Sequence, residues 1–256
     1  MFSFLRPPDS GSRAGLAFTD RAGGVSQGSL GPLNLGRTDV DDLRHVRENF
    51  VRVGASLGVD RFITLAQVHG PDVVVVDAEL LATWGPEQHL GSGATGTPLQ
   101  AADALVTTQP GVALCIRVAD CLPVLFVDSA RGVIGAAHAG RVGLAAGVLP
   151  RTVDAMRELG AGEIQAWFGP HICGACYEVP ADMREDVARG LPEAYAETSW
   201  GTPSLNLGAA AEAQLRALGC VVRREDPCTR TTPALHSHRR DGADAGRLGA
   251  LVWLAD

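Results

Sequence analysis

The chain has 256 residues, 46% of them hydrophobic and 20% charged, with a formal net charge of −7. This length and balance are typical of a globular protein with a substantial core. The acidic balance argues against binding to a nucleic-acid backbone as the main task, although a small phosphate can still bind locally. No apolar run approaches the ~20 residues that cross a bilayer, so we expect no membrane association.

The N-terminal segment, MFSFLRPPDSG, begins with apolar residues but continues at once with two prolines and an acid. A secretory leader needs a longer apolar stretch before its cleavage site. We therefore expect a cytoplasmic protein.

A strand over residues 15–19 is predicted to precede a helix over residues 39–57. Apolar residues recur in this helix at intervals of three and four, at Val40, Leu43, Val46, Phe50, Val53 and Leu57. Thr38 or Asp39 can cap its N-terminus, and Gly58 can end it. Two strands are expected next, over residues 62–68 and 72–77.

Residues 83–100 are rich in glycine, threonine, serine and proline and follow neither a helical nor a strand period. We predict a surface loop without regular structure that is more mobile than its flanking strands. His89 within it is expected to be exposed to solvent.

The second half begins with a dense β region. Four strands are predicted in it, over residues 104–107, 112–118, 122–127 and 132–137. The valine and isoleucine in the two longest runs indicate burial on both faces. A helical pattern over residues 144–159 should break at Pro150.

The remaining segments alternate between the two periods. We predict a strand over residues 163–168, helices over 181–196 and 207–218, and closing strands over 220–223 and 248–254. No repeat or linker divides the chain, so residues 1–256 are predicted to form one α/β domain with a largely mixed sheet.

The six cysteines do not suggest a disulfide framework, because the chain is long and has no export signal. Cys173 and Cys176 form a C-x-x-C, but a structural zinc would need a second pair and only Cys220 and Cys228 follow. A redox motif would need a helix at the first cysteine, whereas YEVP follows. We predict that both are free thiols.

Three residues at the ends of apolar runs could form one metal site: His69 in QVHG, Cys121 in ADC and His138 in AAHAG. Imidazole and thiolate are ligands that zinc and copper prefer, and three ligands leave a fourth position open, as in catalytic zinc sites. Cysteine is also among the most often buried residues, so a core role is the alternative.

A series of motifs follows in order along the chain. They are TDRAGGVSQG, PLNLG, QVHG, DALVT, VADCLPVLFVD, AAHAG, FGPHI…CYEV, DPCT and SHRRDGADAGR. This pattern resembles the YfiH family, also called the multicopper polyphenol oxidase or laccase-domain family, over almost the whole chain.

The resemblance implies mixed β-sheet layers flanked by helices, in a fold related to a toxin deamidase, the cytotoxic necrotizing factor. It implies a purine nucleoside phosphorylase acting on adenosine, inosine and S-methyl-5′-thioadenosine, with adenosine deaminase side activity. The family holds a zinc through residues corresponding to His69, Cys121 and His138, with copper as the alternative metal. The partners would be a purine nucleoside and phosphate, bound by a monomer or homodimer.

Deamination needs a carboxylate that moves protons without binding the metal. Asp120, next to Cys121, is the candidate; alternatively it caps the turn or orients a ligand histidine. Phosphorolysis needs an anion pocket, which guanidinium groups provide through paired hydrogen bonds. The candidates for phosphate and ribose contacts are Arg21, Arg239, Arg240, Arg247 and Asn34, with solvated arginines and a turn-holding asparagine as alternatives.

One departure from the family follows the HAG motif, where the family has Trp-Arg-Gly and this chain has Arg141-Val142-Gly143. The displaced Arg141 can still reach the pocket, but the indole is lost, which weakens any inference about the preferred nucleoside. His236 and His238 could recruit a second metal or bond to backbone and water.

Two other functions stay open at this stage. A cysteine hydrolase would use Cys121 as nucleophile and His138 as base, and it would work without metal. A copper phenol oxidase would need histidines in tight clusters, whereas the seven histidines here are scattered.

Overall fold

Two β-sheets stack face to face in the computed structural model, which describes residues 1–36 and 39–255. The five-stranded sheet has the order β1-β2-β13-β6-β3 and the six-stranded sheet the order β12-β9-β7-β8-β5-β4. Parallel pairing joins β3 to β6, β4 to β5 and β12 to β9, while the other pairs in these two sheets are antiparallel. The strands are β1 Phe2–Arg6, β2 Ala14–Thr19, β3 Phe62–Ile63, β4 Val73–Val75, β5 Ala104–Thr107, β6 Ala113–Val118, β7 Leu122–Asp128, β8 Val133–Ala139, β9 Gln165–Phe168, β10 Tyr195–Glu197, β11 Pro203–Leu205, β12 Val221–Arg224 and β13 Leu248–Leu254. The α/β class with mixed sheets is therefore confirmed.

Helices cover the outer faces of both sheets. They are α1 Leu43–Leu57, α2 Ala78–Thr83, α3 Ser92–Thr95, α4 Arg141–Ala145, α5 Val148–Glu158, α6 Ala181–Gly190, α7 Leu207–Ala217 and α8 His238–Asp241. Helix α1 packs on the five-stranded sheet, and α5, α6 and α7 pack on the six-stranded sheet. Among the described helices, none is both long and apolar enough to cross a membrane.

The core has three layers that follow from this stacking. Residues such as Phe18, Ile116 and Leu125 fill the space between the two sheets, and Phe50 and Met156 belong to the two outer layers. Every residue of β7 and β8 is buried, as the continuous apolar runs predict. At one end of this strand pair, β8 carries the candidate ligand His138, and the candidate ligand Cys121 directly precedes β7.

Helix α1 begins at Leu43, four residues later than predicted. The side chain of Asp42 accepts a hydrogen bond from the backbone N–H of Arg44 and caps the helix there. Asp39 and Val40 precede the cap, and Val40 is half exposed. The alternative cap, Thr38, lies outside the described residues.

The prediction of an irregular 83–100 loop is wrong in part. A short 3₁₀ turn over Gln88–Leu90 and helix α3 lie within it, and His89 is 7% exposed. The His89 ring packs on Phe50 with 4.5 Å between centroids, while the Gln88 amide pairs with the backbone of Thr64. The composition of the segment did not predict this turn, because only the Gln88 amide and the His89 ring anchor it and the rest of the segment is polar. The mobility of the segment stays a prediction.

Two other predicted boundaries differ from those in the structure. The strand predicted over residues 62–68 ends at Ile63, and beyond it the side chain of Gln67, in place of a backbone group, pairs with the backbone of Arg117. The expected break at Pro150 lies at Ala146 and Gly147 instead. Pro150 sits in the first turn of α5, where its missing N–H breaks no helical bond.

Three short strands, β1, β10 and β11, were missed by sequence reasoning. The apolar N-terminus forms β1, and the predicted 181–196 helix ends at Gly190, after which β10 pairs with β11. Pro192 follows the helix and starts a 3₁₀ turn, which explains the early end.

Candidate metal and anion site

Three side chains from separate parts of the chain meet at one end of the six-stranded sheet. The ligand atoms of His69, Cys121 and His138 all lie within 4.8 Å of one another. The Sγ atom of Cys121 is 3.7 Å from Nε2 of His69, and the two imidazole rings are 4.8 Å apart between centroids. The exposure rises from buried His138 through Cys121 to exposed His69, so the cluster opens to solvent on the His69 side.

Strand pairing and two strained turns produce this convergence. Antiparallel β7 and β8 pair Pro123 with His138, which places Cys121, the residue directly before β7, beside the end of β8. His69 and Asp120 have positive φ angles of 61° and 88°, a rare conformation for residues with a side chain. Such strain concentrates at functional sites.

Gly140 allows the cluster to pack closely. A Cβ atom at this position would lie 2.6 Å from Cδ2 of His69 and 3.1 Å from Sγ of Cys121. The glycine of the HAG motif therefore makes room for two of the candidate ligands.

Asp103, which the sequence reasoning did not single out, organises the cluster. Its fully buried carboxylate accepts hydrogen bonds from the backbone N–H groups of Val68, His69 and Gly70. It also lies 2.7 Å from Nδ1 of His138, which leaves Nε2 to face Cys121. Burial opposes the ionised form, but His138 and the backbone donors lower the pKa of Asp103 overall. The signal available in the sequence was its position in DALVT, directly before a buried strand.

Without a metal, Cys121 and His138 form a thiolate–imidazolium pair. Burial would raise the pKa of the Cys121 thiol, but the charge of His138 and hydrogen bonds from both histidines lower it to about 6. Burial would likewise lower the pKa of His138, but the Cys121 thiolate and Asp103 raise it to about 9. A deprotonated thiol is the form that binds metals and attacks electrophiles.

We expect this pair to be visible in alkylation of the metal-free protein. Because the pKa of Cys121 is lowered, its thiolate persists down to about pH 6, and its rate of reaction with iodoacetamide should titrate there. An ordinary cysteine would titrate at about pH 8.5. Mass spectrometry of the Cys121 peptide across pH gives the rate; Cys115, whose pKa burial raises to about 12, is the internal reference that should stay unlabelled. An apparent pKa near that of an ordinary cysteine would contradict the pairing.

A cavity of about 550 Å³ opens beside the cluster, a size within the range of small-molecule sites. Its lining consists of Gly36, Asp39, Gln67, His69, Arg117, Val118, Ala119, Cys121, His138, His238 and Arg247. A larger cavity of about 810 Å³ lies against α1, but it contains no comparable cluster of ligands among the described residues. We assign the chemistry to the smaller cavity because the candidate metal ligands line it.

Arg117 is a second residue that sequence reasoning missed. One of its Nη atoms donates to the carbonyl of Leu65, and its Nε is buried without a hydrogen-bond partner. Burial lowers its pKa, and none of the described carboxylates lies within ion-pair distance of it. A half-buried guanidinium with an unbonded Nε can bind an anion that enters the cavity. The signal was a single charge inside the apolar run ALCIRV.

Tyr177 joins the cluster to two candidate arginines. Burial raises the pKa of its phenol, as does the nearby Cys121, while Arg141 and Arg239 act in the opposite direction. Arg141 lies close enough to the phenol to lower its pKa, and the Arg239 guanidinium lies 5.2 Å from the ring centroid. Both arginines therefore lie near Cys121.

The structure gives other predicted residues mainly positioning contacts. Asp120 accepts hydrogen bonds from the Thr229 hydroxyl at 2.5 Å and from the backbone N–H of Arg239 at 2.6 Å, so it joins two loops to the cluster. The buried Asn34 accepts from the backbone N–H groups of Gly36 and Arg247, both of which line the cavity. Their catalytic and ribose-binding roles stay predictions.

Arg21 and Arg240 lie outside the described lining of the cavity. A guanidinium nitrogen of Arg21 is 4.0 Å from the Asp241 carboxylate, and Arg240 binds the same carboxylate at 2.7 Å. His236 Nε2 donates to the backbone carbonyl of Leu33, whereas His238 lines the cavity. Among the described residues, the two histidines of HSH do not share a metal-type cluster.

The donor set fits a metal ion of borderline softness. One thiolate and two imidazoles suit zinc, and a cluster with two histidines and one cysteine also suits copper. Asp103 supplies the carboxylate that usually fixes a ligand histidine from behind. His69 faces the open side, which leaves access for a small ligand.

Comparisons with known proteins agree over nearly the full length. The family model described as multi-copper polyphenol oxidoreductase laccase matches residues 15–255. A purine nucleoside phosphorylase of Streptomyces coelicolor is 47% identical over 96% of this chain and 98% of its own length. One of Corynebacterium glutamicum is 40% identical over 93% of each chain.

Solved structures show the same architecture. YfiH of Bacillus licheniformis matches with a TM-score of 0.83 at 27% identity, covering 98% of each chain. YlmD of Geobacillus stearothermophilus matches with a TM-score of 0.81 at 32% identity, covering 98% of this chain and 94% of that one. The resemblance seen in the sequence motifs is confirmed.

Proposed function

Since this chain belongs to the multi-copper polyphenol oxidoreductase laccase family, we propose that it is a zinc-dependent purine nucleoside phosphorylase. Its substrates would be adenosine, inosine and S-methyl-5′-thioadenosine, with adenosine deamination as a side activity. Relatives at 40–47% identity carry the name purine nucleoside phosphorylase, which supports the nucleoside and phosphate as substrates.

One observation carries the proposal: an open His69–Cys121–His138 cluster and the half-buried Arg117, whose Nε has no hydrogen-bond partner, line the same cavity. Phosphorolysis requires an anion to be held against a neutral nucleoside, and an arginine in a site shielded from water does this well. A zinc ion, when bound, supplies a Lewis acid that polarises an oxygen or activates a water.

The chain's own residues then have distinct tasks. Arg117 and Arg247 border the cavity and provide positive charge for phosphate. The Tyr177 phenol, whose pKa is raised, keeps its proton at neutral pH and can donate a hydrogen bond to the bound substrate. Arg141 and Arg239 flank Tyr177 and add to the positive field near Cys121.

Deamination needs a proton carrier beside the amino group of the purine. Asp120 is one candidate, although both of its carboxylate oxygens already accept hydrogen bonds. Asp103 is engaged with His138 and three backbone groups, so it holds the histidine in one tautomer.

We expect Arg117→Gln to separate the two activities. The variant should bind phosphate more weakly, so the rate of phosphorolysis should fall by about 10²–10³-fold, the usual loss when a charged contact to an oxyanion is removed. Deamination, which needs no phosphate, should fall much less. Adenine and inosine are measured separately from adenosine, and Arg117→Lys should recover only part of the loss because an ammonium lacks the two-pronged geometry.

Arg239→Gln and Arg21→Gln complete the same assay. Arg239 and Arg21 both lie outside the cavity lining, but Arg239 lies against Tyr177 and next to His238, which lines the cavity, so the same selective loss is expected there. An equal effect at Arg21 would extend the anion site further. Equal loss of both products in Arg117→Gln, with unchanged thermal stability, would assign Arg117 to the nucleoside instead of phosphate.

A second candidate function, a cysteine hydrolase, is favoured by one observation. His138 lies beside Cys121 and contacts Asp103 on its other side, which is the order nucleophile, base and orienting carboxylate found in cysteine hydrolases. Such an enzyme needs no metal. Activity that survives removal of metal by a chelator would support the hydrolase and contradict the zinc proposal.

The deciding experiment combines metal analysis with a substrate panel. Protein purified without added metal is analysed for zinc and copper, then tested with adenosine, inosine and S-methyl-5′-thioadenosine, with and without phosphate. Phosphate-dependent release of free base is expected. Oxidation of a phenol with copper present and no nucleoside turnover would favour the phenol oxidase.

A further inference from the structure

A second cluster of sulfur atoms lies apart from the cavity lining. The Sγ atoms of Cys173, Cys176 and Cys228 all lie within 4.8 Å of one another, and all three are free thiols. Cys176 is buried and the other two are half-buried. The remaining cysteines outside the candidate metal cluster, Cys115 and Cys220, are buried core residues that join no such group among the described residues.

Local backbone structure builds this cluster from two segments. The N–H groups of Cys176 and Tyr177 both donate to the carbonyl of Cys173, forming a tight turn that brings the C-x-x-C sulfurs together. The segments meet where Thr229 N–H donates to the carbonyl of His171. This pairing explains how Cys228 completes the group although it is distant in the chain.

The sulfur of Cys228 is surrounded by donors. The backbone N–H of Cys173 points at it with 3.4 Å between nitrogen and sulfur, and Thr231 lies close enough to help lower the pKa of the Cys228 thiol. N–H groups directed at a sulfur stabilise a thiolate, which is the form that binds a metal. A disulfide would use two of the three sulfurs and leave these contacts unexplained.

We propose that Cys173, Cys176 and Cys228 form a second metal site, for a thiophilic cation such as zinc or cuprous copper. Thiolates select these ions, and three of them leave one position for water or an external ligand. This site is independent of the proposed function, since none of its cysteines belongs to the His69–Cys121–His138 cluster.

A cation here would also hold one wall of the candidate active site. Tyr177 follows Cys176 directly, and its phenol lies by Cys121 and Arg141. Thr229 follows Cys228, and its hydroxyl binds Asp120. Metal binding would therefore join the two segments that present Tyr177 and Thr229, a positioning role without contact to the substrate.

The test counts metal in the Cys121→Ala background, where only the second site remains. Reduced protein is titrated anaerobically with Zn²⁺, with Cu⁺ in a parallel arm, against a chromophoric chelator. We expect one equivalent bound, and a sulfur-to-metal charge-transfer band when Co²⁺ is used. Adding Cys228→Ala should remove both signals, whereas the matched control Cys220→Ala should leave them unchanged.

Three outcomes would overturn the proposal. They are no binding in the Cys121→Ala protein, unchanged binding after Cys228→Ala, and an oxidised pair among the three cysteines, found by thiol titration, in place of bound metal. The full-length wild-type protein provides a further check, since it should bind two equivalents in all. Failure at the second site alone would leave the wild type with one equivalent that Cys121→Ala removes, so the proposed function would be untouched.

Discussion

Replacing Cys121 with alanine is expected to abolish both phosphorolysis and deamination. Cys121 supplies the only thiolate of the cluster formed with His69 and His138, so the variant should lose the metal of this cluster. Both reactions would then lose the same Lewis acid, worth several kcal/mol of transition-state stabilisation. A loss of about 4 kcal/mol corresponds to about a thousandfold in rate.

The measurement is adenosine conversion with separate detection of adenine and inosine, together with the zinc content of each preparation. Cys115→Ala is the matched control, because Cys115 is a fully buried cysteine in the neighbouring sheet and does not belong to the cluster. It should lower stability but keep metal and activity. Full activity in Cys121→Ala would overturn the zinc mechanism, and loss of activity with the same zinc content as the wild type would favour the nucleophilic cysteine.

Replacing Asp103 with alanine should have the largest effect on stability. The change leaves three backbone N–H groups and the His138 imidazole without their buried partner. Removing one member of a buried charged pair costs about 3–5 kcal/mol. In a chain of this size, that should lower Tm by roughly 10 °C. Metal affinity should fall as well, because His69 and His138 both lose their anchor.

Asp103→Asn refines this prediction. The amide keeps the shape but cannot accept all four hydrogen bonds, so a smaller loss of stability and the wrong tautomer of His138 are expected. The lowered pKa of Asp103 also gives the direction of the pH dependence of stability. The ionised form stabilises the fold above the ordinary carboxyl pKa, and this contribution is lost as pH falls through the lowered pKa. Asp103→Asn should therefore weaken the acid dependence of unfolding.

Asp128 offers a matched control for this carboxylate. It is 2% exposed and accepts backbone hydrogen bonds from Ala130, Arg131 and Gly162, far from the metal cluster in the fold. Asp128→Asn should destabilise the protein by a similar mechanism yet keep metal affinity and activity. Thermal unfolding and metal titration of both variants give the comparison, and equal metal affinity in the two would contradict the anchoring role of Asp103.

The local sequence determined the helices and strands whose apolar residues recur at a regular spacing or form a continuous run. Strands β5, β7, β8 and β13 and helices α5 and α7 follow predicted segments closely, because valine-rich runs and three-to-four spacing express burial directly. Boundaries failed where a side chain from elsewhere took the place of a backbone partner, as Gln67 and Gln88 do. Such amide contacts join residues far apart in sequence and leave no local pattern.

The same division applies to the candidate site. Residue type made His69, Cys121 and His138 candidate metal ligands, because thiol and imidazole side chains bind metals where they meet, and the resemblance to the family favoured this role over burial in the core. Only the tertiary structure decided that Asp103 holds His69 and His138, and that Arg117 lines the cavity with an unbonded Nε. It also decided that Cys228 joins the C-x-x-C. Each of these depends on strand order and register, which bring distant residues together through the packing of the whole core.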